Sequence, residues 1–140
     1  MFTIAETTWQ KNRTSLSAIR ETVFTKEQKV PIALEWDGLD ETAVHLIAWD
    51  LGGSPIGCAR LLSDYKLGRM AVLPQHRMQG VGSALLQAAV DYAAEARWNH
   101  ISISAQTQAI GFYIKSGFVL TGGEYMDAGI PHRDMCLYFN

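Results

Sequence analysis

The stretch RMAVLPQHRMQGVGSALL, residues 69–86, joins an apolar run that ends near Pro74 to a pattern typical of a helix. Two glycines, Gly80 and Gly82, stand one residue apart where that helix begins. Glycine lowers helix stability, so a pair in the first turn needs a physical reason. A helix N-terminus presents unpaired N–H groups and a positive dipole end, which glycines leave open to an anion. The stretch therefore predicts a phosphate-binding loop with Arg77 at its edge, although close helix–sheet packing would also explain the glycines.

Two common nucleotide-binding motifs do not fit this loop. A P-loop has Lys and Ser/Thr directly after its second glycine, whereas Ser83 and Ala84 follow Gly82 here. The dinucleotide motif has a third glycine, and Leu85 occupies that position. These departures exclude both of those binding modes, so another phosphate-containing ligand is expected.

The composition is that of one globular domain spanning residues 1–140. Hydrophobic residues make up 48% of the chain and charged residues 19%, which is enough apolar material for a core. The net charge of -2 gives no electrostatic reason to expect nucleic acid or an anionic membrane as a partner. No signal-peptide pattern is visible and no run approaches the roughly 20 apolar residues of a membrane span. We therefore expect a cytoplasmic protein.

The cysteines and histidines show no metal-ligand spacing. Cys58 and Cys136 are too few for a disulfide framework. We expect both to be reduced thiols in the core, and we expect no bound metal.

Hydrophobic periodicity predicts a strand and a helix, then three strands, then alternating helices and strands. A helix is expected at about residues 15–25, and residues 26–41 are expected to be mostly loop because they contain Pro31, Gly38 and several acids. Apolar runs on either side of residues 51–54 predict a hairpin. The other predicted elements are strands at 2–9, 65–74 and 100–105, helices at 80–96 and 109–117, and strands at 118–125 and 132–139. This order predicts an α/β (α+β) fold with a mixed sheet and helices on both faces.

Two blocks of the sequence resemble the GCN5-related N-acetyltransferases (GNAT superfamily). The first block is Arg77-Met78-Gln79-Gly80-Val81-Gly82 after Val72-Leu73-Pro74, similar to the family's Gln/Arg-x-x-Gly-x-Gly/Ala after a V-x-P strand end. The second is QTQAIGFYIKSGF, residues 106–118, which matches the family's segment at Ala109, Phe112, Tyr113, Gly117 and Phe118. The resemblance covers essentially the whole chain. It implies a single acyltransferase domain whose mostly antiparallel sheet splays at a central parallel pair.

A narrower resemblance is to the ElaA/YjcF-like branch of that superfamily. The branch has an Arg-x-x-Val-Phe-x-x-Glu-Gln segment, followed by an acidic E-x-D-x-x-D and a histidine. The corresponding residues here are Arg20, Val23, Phe24, Glu27, Gln28, Glu35, Asp37, Asp40 and His45. The stretch GGEYMDAGIPHRDM, residues 122–135, is similar to the branch's C-terminal segment and includes His132 and Met135.

The resemblance implies acetyl-CoA as the cosubstrate, with its pyrophosphate held by loop amides and its pantetheine arm between the strands at 69–72 and 102–105. The residues expected to bind it are Met70, Ala71, Val72, Arg77, Met78, Gln79, Gly80, Val81, Gly82, Ser83, Gln106 and Phe112. Two features depart from the family. Gln106 stands where Asn is common, and Met78 and Gln79 stand where relatives are often basic, so phosphate binding would depend on backbone amides and Arg77.

Acetyl transfer to an amine needs a neutral amine, a stabilised oxyanion and a proton for the departing thiolate. The resemblance places the N–H donor for the thioester carbonyl among Met70, Ala71 and Val72, with Val72 or Ala71 preferred. It makes Tyr113 the general acid, because a phenol with a pKa of about 10 is protonated at neutral pH. Without the resemblance, Tyr113 is interpreted as an aromatic residue packed beside Phe112.

The sequence leaves the acceptor site and the general base open. The candidate acceptor-site residues are Arg20, Glu27, Glu35, Asp37, His45 and His132, and all of them except Arg20 are candidate bases. The acidic stretch at 35–41 could hold a cationic amine, or it could be a solvated loop. Either histidine could be structural. Trp36 is the tryptophan expected to line the acceptor pocket.

The leading functional prediction is an acetyl-CoA-dependent N-acetyltransferase acting on a primary amine of a small molecule or peptide, by direct attack in a ternary complex. The alternative is a non-catalytic acyl-CoA-binding or regulatory module with the same fold. Transfer of a longer acyl group, or transfer to another nucleophile, is a third interpretation. A homodimer could form by pairing of the C-terminal strand at residues 134–139.

Overall fold

The computed structural model describes residues 1–140, and its elements follow the predicted order. The strands are β1 (Phe2–Thr7), β2 (Val44–Asp50), β3 (Pro55–Leu61), β4 (Leu67–Val72), β5 (His100–Gln106), β6 (Val119–Leu120), β7 (Tyr125–Asp127) and β8 (Ile130–Tyr138). The helices are α1 (Trp9–Arg20), α2 (Ile32–Glu35), α3 (Val81–Glu95) and α4 (Ile110–Ile114), with a π-helical segment at Glu21–Glu27 and 3₁₀ turns at Pro74–His76 and Thr107–Ala109. None of these helices combines the length and the apolar character that crossing a bilayer requires.

The strands form two sheets that are joined at one point. The first sheet has the order β1-β2-β3-β4; in the second, β8 lies between β5 and the short strands β6 and β7. Every ladder is antiparallel, which differs from the expected mixed sheet with a central parallel pair. Between β4 and β5 there is a single parallel bridge, Lys66 with Ser102, where the Ser102 N–H donates to the Tyr65 carbonyl at 2.9 Å.

A β-bulge interrupts β4 close to that bridge. The register between β3 and β4 shifts between Cys58 and Arg60, and Arg69 on β4 adopts a left-handed backbone with φ 48°. An extra residue bends its strand and increases the local twist. The bend explains why β4 and β5 share one bridge where a parallel ladder was expected.

Helices α1 and α3 pack on opposite faces of the first sheet. Successive strand residues point to opposite faces, so Leu46 and Ala48 join the cluster around α3 while Ile47 joins the cluster around α1. Gly57 on β3 allows the close approach of α3. A Cβ there would lie 3.1 Å from Leu85 Cδ1, which is tighter than an ordinary contact.

Several predicted boundaries change for identifiable reasons. Helix α1 begins at Trp9 instead of residue 15, because the Thr8 side chain caps it by accepting from the Lys11 N–H at 3.1 Å. The expected loop at 26–41 contains the end of the π-helical segment and α2, and the expected strand at 118–125 is divided into β6 and β7. The hairpin at residues 51–54 and the long helix α3 are confirmed. So is the end of α4 near Gly117, where the chain turns with φ 94°.

The C-terminal strand, the expected route to a dimer, is paired within the chain along most of both its edges. Strand β8 pairs with β5 from His132 to Tyr138, and its other edge pairs with β6 and β7. Because both edges are used within the chain, this strand is not free to extend a sheet into a second copy.

Both cysteines are free and buried, as expected. Burial raises the pKa of Cys58 to about 12, so this thiol stays protonated at neutral pH.

Candidate active site

The loop that leads into α3 leaves a run of backbone amides without partners. The first hydrogen bond of α3 joins the Ala84 N–H to the Gly80 carbonyl at 3.0 Å, and no side chain caps the helix. The N–H groups of residues 78–83 therefore donate to no other group of the protein. With the positive end of the helix dipole, these amides form a cradle suited to a phosphate.

The two loop glycines are not required by close packing. A Cβ on Gly80 would meet nothing within 4 Å, and a Cβ on Gly82 would make ordinary contacts at 3.7 Å to Phe112 and 3.9 Å to Val72. Gly80 is required for its backbone instead, since its φ of 86° lies in the left-handed region. The packing explanation belongs to Gly57, and the phosphate-loop explanation is favoured for Gly80.

Arg77, expected to contact phosphate, is bound by a carboxylate. Its Nη1 and Nη2 donate to Glu27 at 2.7 and 2.6 Å, and its Nε donates to the Val72 carbonyl at 2.9 Å. The hydrogen bond from Arg77 lowers the pKa of Glu27. Each side chain of the pair is 39% exposed, so an incoming phosphate could compete with Glu27 for the guanidinium group.

A cavity of about 280 Å³ opens between β4 and β5. Its other walls are the segment at residues 24–35 and the turn between β7 and β8. Ten of the 18 lining residues are hydrophobic, which suits a ligand with an apolar body. The predicted site residues that line it are Glu35, Met70, Gln106, Tyr113 and His132.

Tyr113 on α4 points its hydroxyl towards β4. The hydroxyl lies 4.0 Å from Met70 Sδ, and the ring packs on Phe112 and Phe118 at centroid distances of 5.1 and 5.6 Å. Burial raises the pKa of Tyr113 to about 12. The phenol is therefore protonated at neutral pH and can donate a proton into the cavity.

The register of β3 and β4 identifies which backbone N–H on β4 is free. The Leu73 N–H donates to the Ile56 carbonyl at 2.9 Å, and hydrogen-bonded and non-hydrogen-bonded pairs alternate in an antiparallel ladder. Ala71, which pairs with Cys58, is therefore bonded to β3, whereas Val72 opposite Gly57 is not. The Val72 N–H points away from β3, towards the gap between the sheets.

Arginines occupy the carboxylates of the acidic stretch at 35–40. Glu35 and Asp40 are buried, whereas Asp37 lies in an exposed part of the loop. Arg20 donates to Glu35 Oε2 at 2.7 Å and to Asp40 Oδ1 at 2.6 Å. Arg60 donates to both oxygens of Asp37 at 2.9 and 2.8 Å. Arg20 is 1% exposed and Glu35 2%, so their pair is interior, whereas Arg60 reaches Asp37 at the surface, where the Asp37 side chain is 27% exposed.

Arg69 completes this buried network from the bulge in β4. Its Nε lies 3.2 Å from Glu35 Oε2, and its Nη2 donates to Asp37 Oδ2 at 3.2 Å and to the Glu35 carbonyl at 3.0 Å. Each acid in the network thus faces at least one guanidinium group, and the three positive charges balance the three negative charges.

The network shifts the titration of its members. Burial alone would raise the pKa of Asp37, but hydrogen bonds from Arg60 and the Leu39 N–H, with the Arg60 and Arg69 charges, lower it to about 2. Burial likewise opposes the shift at Asp40, whose pKa is lowered by Arg20 and Arg60.

The structure divides the predicted site residues among three places. Residues 77–83 form the loop, with Val72 and Phe112 beside it. The predicted residues that line the cavity are Glu35, Met70, Gln106, Tyr113 and His132. Arg20, Asp37 and His45 lie in or against the buried network and do not line the cavity. Trp36 also lies outside this cavity, since it packs on Trp9 at 6.1 Å and on the Arg20 guanidinium at 4.7 Å.

Two residues that the sequence analysis did not single out are central to the site. Arg60 is a charged residue inside the apolar strand run PIGCARLL, a signal that could have predicted buried acidic partners. Arg69 gave no such signal, because its position depends on the bulge and its left-handed backbone. No group of three or more His, Cys, Asp and Glu side chains is placed to hold a metal ion.

Comparison with known proteins agrees with this geometry. The sequence profile of the acetyltransferase (GNAT) domain matches residues 8–139. The chain is 42% identical over 121 residues to the uncharacterized N-acetyltransferase YjcF of Bacillus subtilis strain 168, covering 84% of this chain and 86% of YjcF. The crystal structure of an acyl-CoA N-acyltransferase from Pseudomonas aeruginosa superposes with a TM-score of 0.86 at 30% identity, covering 98% of this chain and 99% of that chain.

Escherichia coli ElaA shares the fold, with a TM-score of 0.87 at 24% identity over 98% of this chain and 99% of ElaA. The predicted superfamily and branch are both confirmed. The chain belongs to the GNAT acetyltransferase family, in its ElaA/YjcF-like branch, and is an N-acyltransferase of the acyl-CoA-using fold.

Proposed function

We propose that this N-acyltransferase transfers an acetyl group from acetyl-CoA to the primary amine of a small molecule or peptide, by direct attack in a ternary complex. The observation that carries the proposal is the arrangement along β4. Met70 faces a cavity that contains a protonated phenol, and two residues further on Val72 borders the loop with its free amides.

The residues present fit acetyl-CoA as the donor. The amides of residues 78–83 would hold its pyrophosphate, and Arg77 would join them on release from Glu27. The pantetheine arm contains amide groups, which suit unpaired strand edges. Beyond the bridge at Ser102, the facing edges of β4 and β5 are such edges, so the arm would lie where the two sheets diverge.

Two groups would act on the reacting atoms. Bound acetyl-CoA supplies an activated thioester carbonyl. The Val72 N–H, which points away from β3, would stabilise the developing oxyanion. Ala71 is less suitable because its N–H is bonded to β3. The Tyr113 hydroxyl would give its proton to the leaving sulfur, since it is protonated at neutral pH and faces the cavity.

The acceptor would occupy the cavity, where Glu35 and His132 contribute polar groups to a mostly apolar lining. Arg20, Asp37 and His45 would support this site from behind and would not touch the acceptor. Glu27 would act on the donor side through its ion pair with Arg77.

The test is calorimetric titration of acetyl-CoA into the wild type, the Gly82→Glu variant and the Gly82→Ala control. A glutamate would place negative charge beside the free amides, whereas an alanine Cβ fits without clash. We expect micromolar binding by the wild type and by Gly82→Ala, and its loss in Gly82→Glu. Absence of wild-type binding would refute the proposal.

Turnover is then measured as CoA release with 2-phenylethylamine, butylamine, spermidine and lysine methyl ester. In Tyr113→Phe, kcat should fall by about 10²-fold or more while the Kd for acetyl-CoA stays within twofold. Binding without CoA release for any amine would favour a non-catalytic acyl-CoA-binding module. If turnover is faster with propionyl-CoA or succinyl-CoA than with acetyl-CoA, only the identity of the acyl group in the proposal is refuted.

A further inference from the structure

We infer that His132 is the general base that takes the proton from the acceptor amine. The inference rests on the proposed function and selects one group from the five candidate bases. The amine nitrogen must lose a proton to become or remain uncharged as it bonds to carbon, so a base with a free lone pair must border the acceptor cavity.

Three acidic candidates are already occupied. Glu27 is bound at both oxygens by Arg77 and does not line the cavity. Asp37 is bound at both oxygens by Arg60, and it too lies outside the cavity lining. Glu35 lines the cavity, and guanidinium groups lie 2.7 and 3.2 Å from its Oε2, so only its Oε1 is without a partner. Glu27 and Asp37 would have to give up structural partners to act as a base, and a proton on Glu35 would remove the negative charge that pairs with Arg20 and Arg69.

His45 is unsuitable for a different reason. It is 1% exposed, its Nε2 lies 2.9 Å from the Asp40 carbonyl, and its ring packs on Trp9 at 5.6 Å. The ring is enclosed on the α1 side of the sheet and has no access to the cavity. Burial, the largest effect, lowers the pKa of His45, so this imidazole stays neutral as a core residue.

His132 is held in the tautomer that a base requires. Its Nδ1 lies 2.6 Å from the Ile130 carbonyl oxygen. A carbonyl can only accept, so Nδ1 carries the hydrogen and the lone pair is on Nε2. No protein group bonds to Nε2, and the residue lines the cavity although it is only 8% exposed. The free lone pair is thus available to a molecule in the cavity.

The orientation of the ring is set from two sides. Tyr125 stacks on it at a centroid distance of 6.0 Å and an interplanar angle of 25°, and the Tyr125 hydroxyl donates to Asp134 at 2.7 Å. At its Nδ1, the ring is held by the Ile130 carbonyl at 2.6 Å. These contacts limit rotation of the imidazole before any acceptor binds.

The charged and titratable groups that share the cavity come from every wall around His132. They are Glu35 from α2, Arg69 from β4, Tyr113 from α4 and Asp127 from the end of β7, with Tyr125 against the ring itself. Glu35 and Arg69 bind each other. Asp127 is the competing base, but it is an exposed residue at the turn, whereas His132 is buried at the cavity wall.

The proton balance is complete with these residues. A C–N bond forms between the amine nitrogen and the acetyl carbon, and the C–S bond of the thioester breaks. His132 Nε2 accepts one proton from nitrogen, and Tyr113 gives one proton to sulfur. The imidazolium then returns a proton to the tyrosinate through solvent, so amine and thioester become amide and free thiol with no other reactant.

The experiment compares His132→Gln, His132→Ala, the competing-base variant Asp127→Asn and the matched control His100→Gln, using the most reactive amine of the panel above. We expect kcat to fall by about 10²- to 10⁴-fold in both His132 variants, with the Kd for acetyl-CoA within twofold of wild type. The acid limb of the wild-type pH–rate profile should disappear in His132→Gln. Added imidazole should raise the rate of His132→Ala at least tenfold over its rate without imidazole. Asp127→Asn should keep the acid limb, and His100→Gln, which lies outside the cavity lining, should stay within threefold of wild type.

Failure of the inference and failure of the proposed function give different results. If the wild type binds acetyl-CoA and releases CoA but His132→Gln keeps its rate and acid limb, His132 is not the base. A large loss in Asp127→Asn with no loss in His132→Gln would transfer the role to Asp127. If the wild type releases no CoA with any amine, the proposed function fails and the inference fails with it. Equal thermal midpoints of the variants and wild type exclude misfolding, and imidazole rescue is a second readout that a structural role would not produce.

Discussion

Replacing each loop glycine with alanine should change stability in opposite directions. Gly80 has φ 86°, and an L-residue in the left-handed region costs roughly 1–2 kcal/mol, so Gly80→Ala should lower the free energy of unfolding by about 1 kcal/mol. No steric cost adds to this, since a Cβ there meets nothing within 4 Å. Gly82 lies in α3 without a positive φ, and alanine should raise the free energy of unfolding by about 0.5 kcal/mol because it restricts the unfolded chain.

Urea denaturation at equilibrium measures both changes as shifts in midpoint at constant m-value. For a chain of this size, the difference of about 1.5 kcal/mol between the variants corresponds to a separation in Tm of about 5 °C. Gly80→Ala should also weaken acetyl-CoA binding, because its left-handed backbone orients the loop amides, whereas Gly82→Ala should not. Changes of the same sign, or a neutral Gly80→Ala, would refute the assignment of Gly80 to a required backbone conformation and of Gly82 to a helical position that accepts a Cβ at ordinary contact distance.

Three further changes test the charged groups around the site. Arg20→Gln should lower the free energy of unfolding by about 3–5 kcal/mol, because it leaves two buried carboxylates without their main counter-charge. Urea denaturation measures this loss against the exposed control Arg13→Gln. A loss no larger than that of the control would contradict the network. Glu27→Gln should tighten acetyl-CoA binding by roughly two- to fivefold in low-salt calorimetry, because it releases Arg77. Weaker binding would mean instead that Glu27 positions the guanidinium for phosphate. The pKa of Asp37 is lowered to about 2. The stability advantage of wild type over Asp37→Asn should therefore be full above pH 4 and disappear as the pH falls towards 2. If urea denaturation finds the same advantage at pH 2, the ion pairing is contradicted.

Local patterns in the sequence were sufficient to predict the parts of the fold that depend on local interactions. The hairpin at 51–54 follows from a turn between two apolar runs, and α3 follows from apolar spacing after Gly80. The divergence of β4 and β5 depends instead on a bulge that places Arg69 in a left-handed conformation. Nothing in the residue type at that position signals it, so the absence of a parallel ladder could not be predicted locally.

The candidate site was predictable to a different extent on its two sides. On the donor side, the loop and Tyr113 come from contiguous motifs, and the structure places them next to the gap between the sheets. On the acceptor side, the role of each acid depends on partners distant in the chain, as in the pair of Asp37 with Arg60. The sequence analysis named Asp37, but neither Arg60 nor the contact between them.

The segment at residues 21–40 contains three of the predicted acceptor-site residues, and in the proposed reaction it would form a wall shared by both substrates. Glu27 near its centre holds Arg77 at the phosphate loop, while Gln28 beside it lines the cavity and accepts a hydrogen bond from Gln106 at 2.8 Å. Its C-terminal part is fixed by the buried arginine network. A phosphate that draws Arg77 away from Glu27 would release one anchor of this wall next to the acceptor cavity. Because the network holds the other end, the release would act locally, on the residues that border the acceptor, and leave the catalytic groups in place.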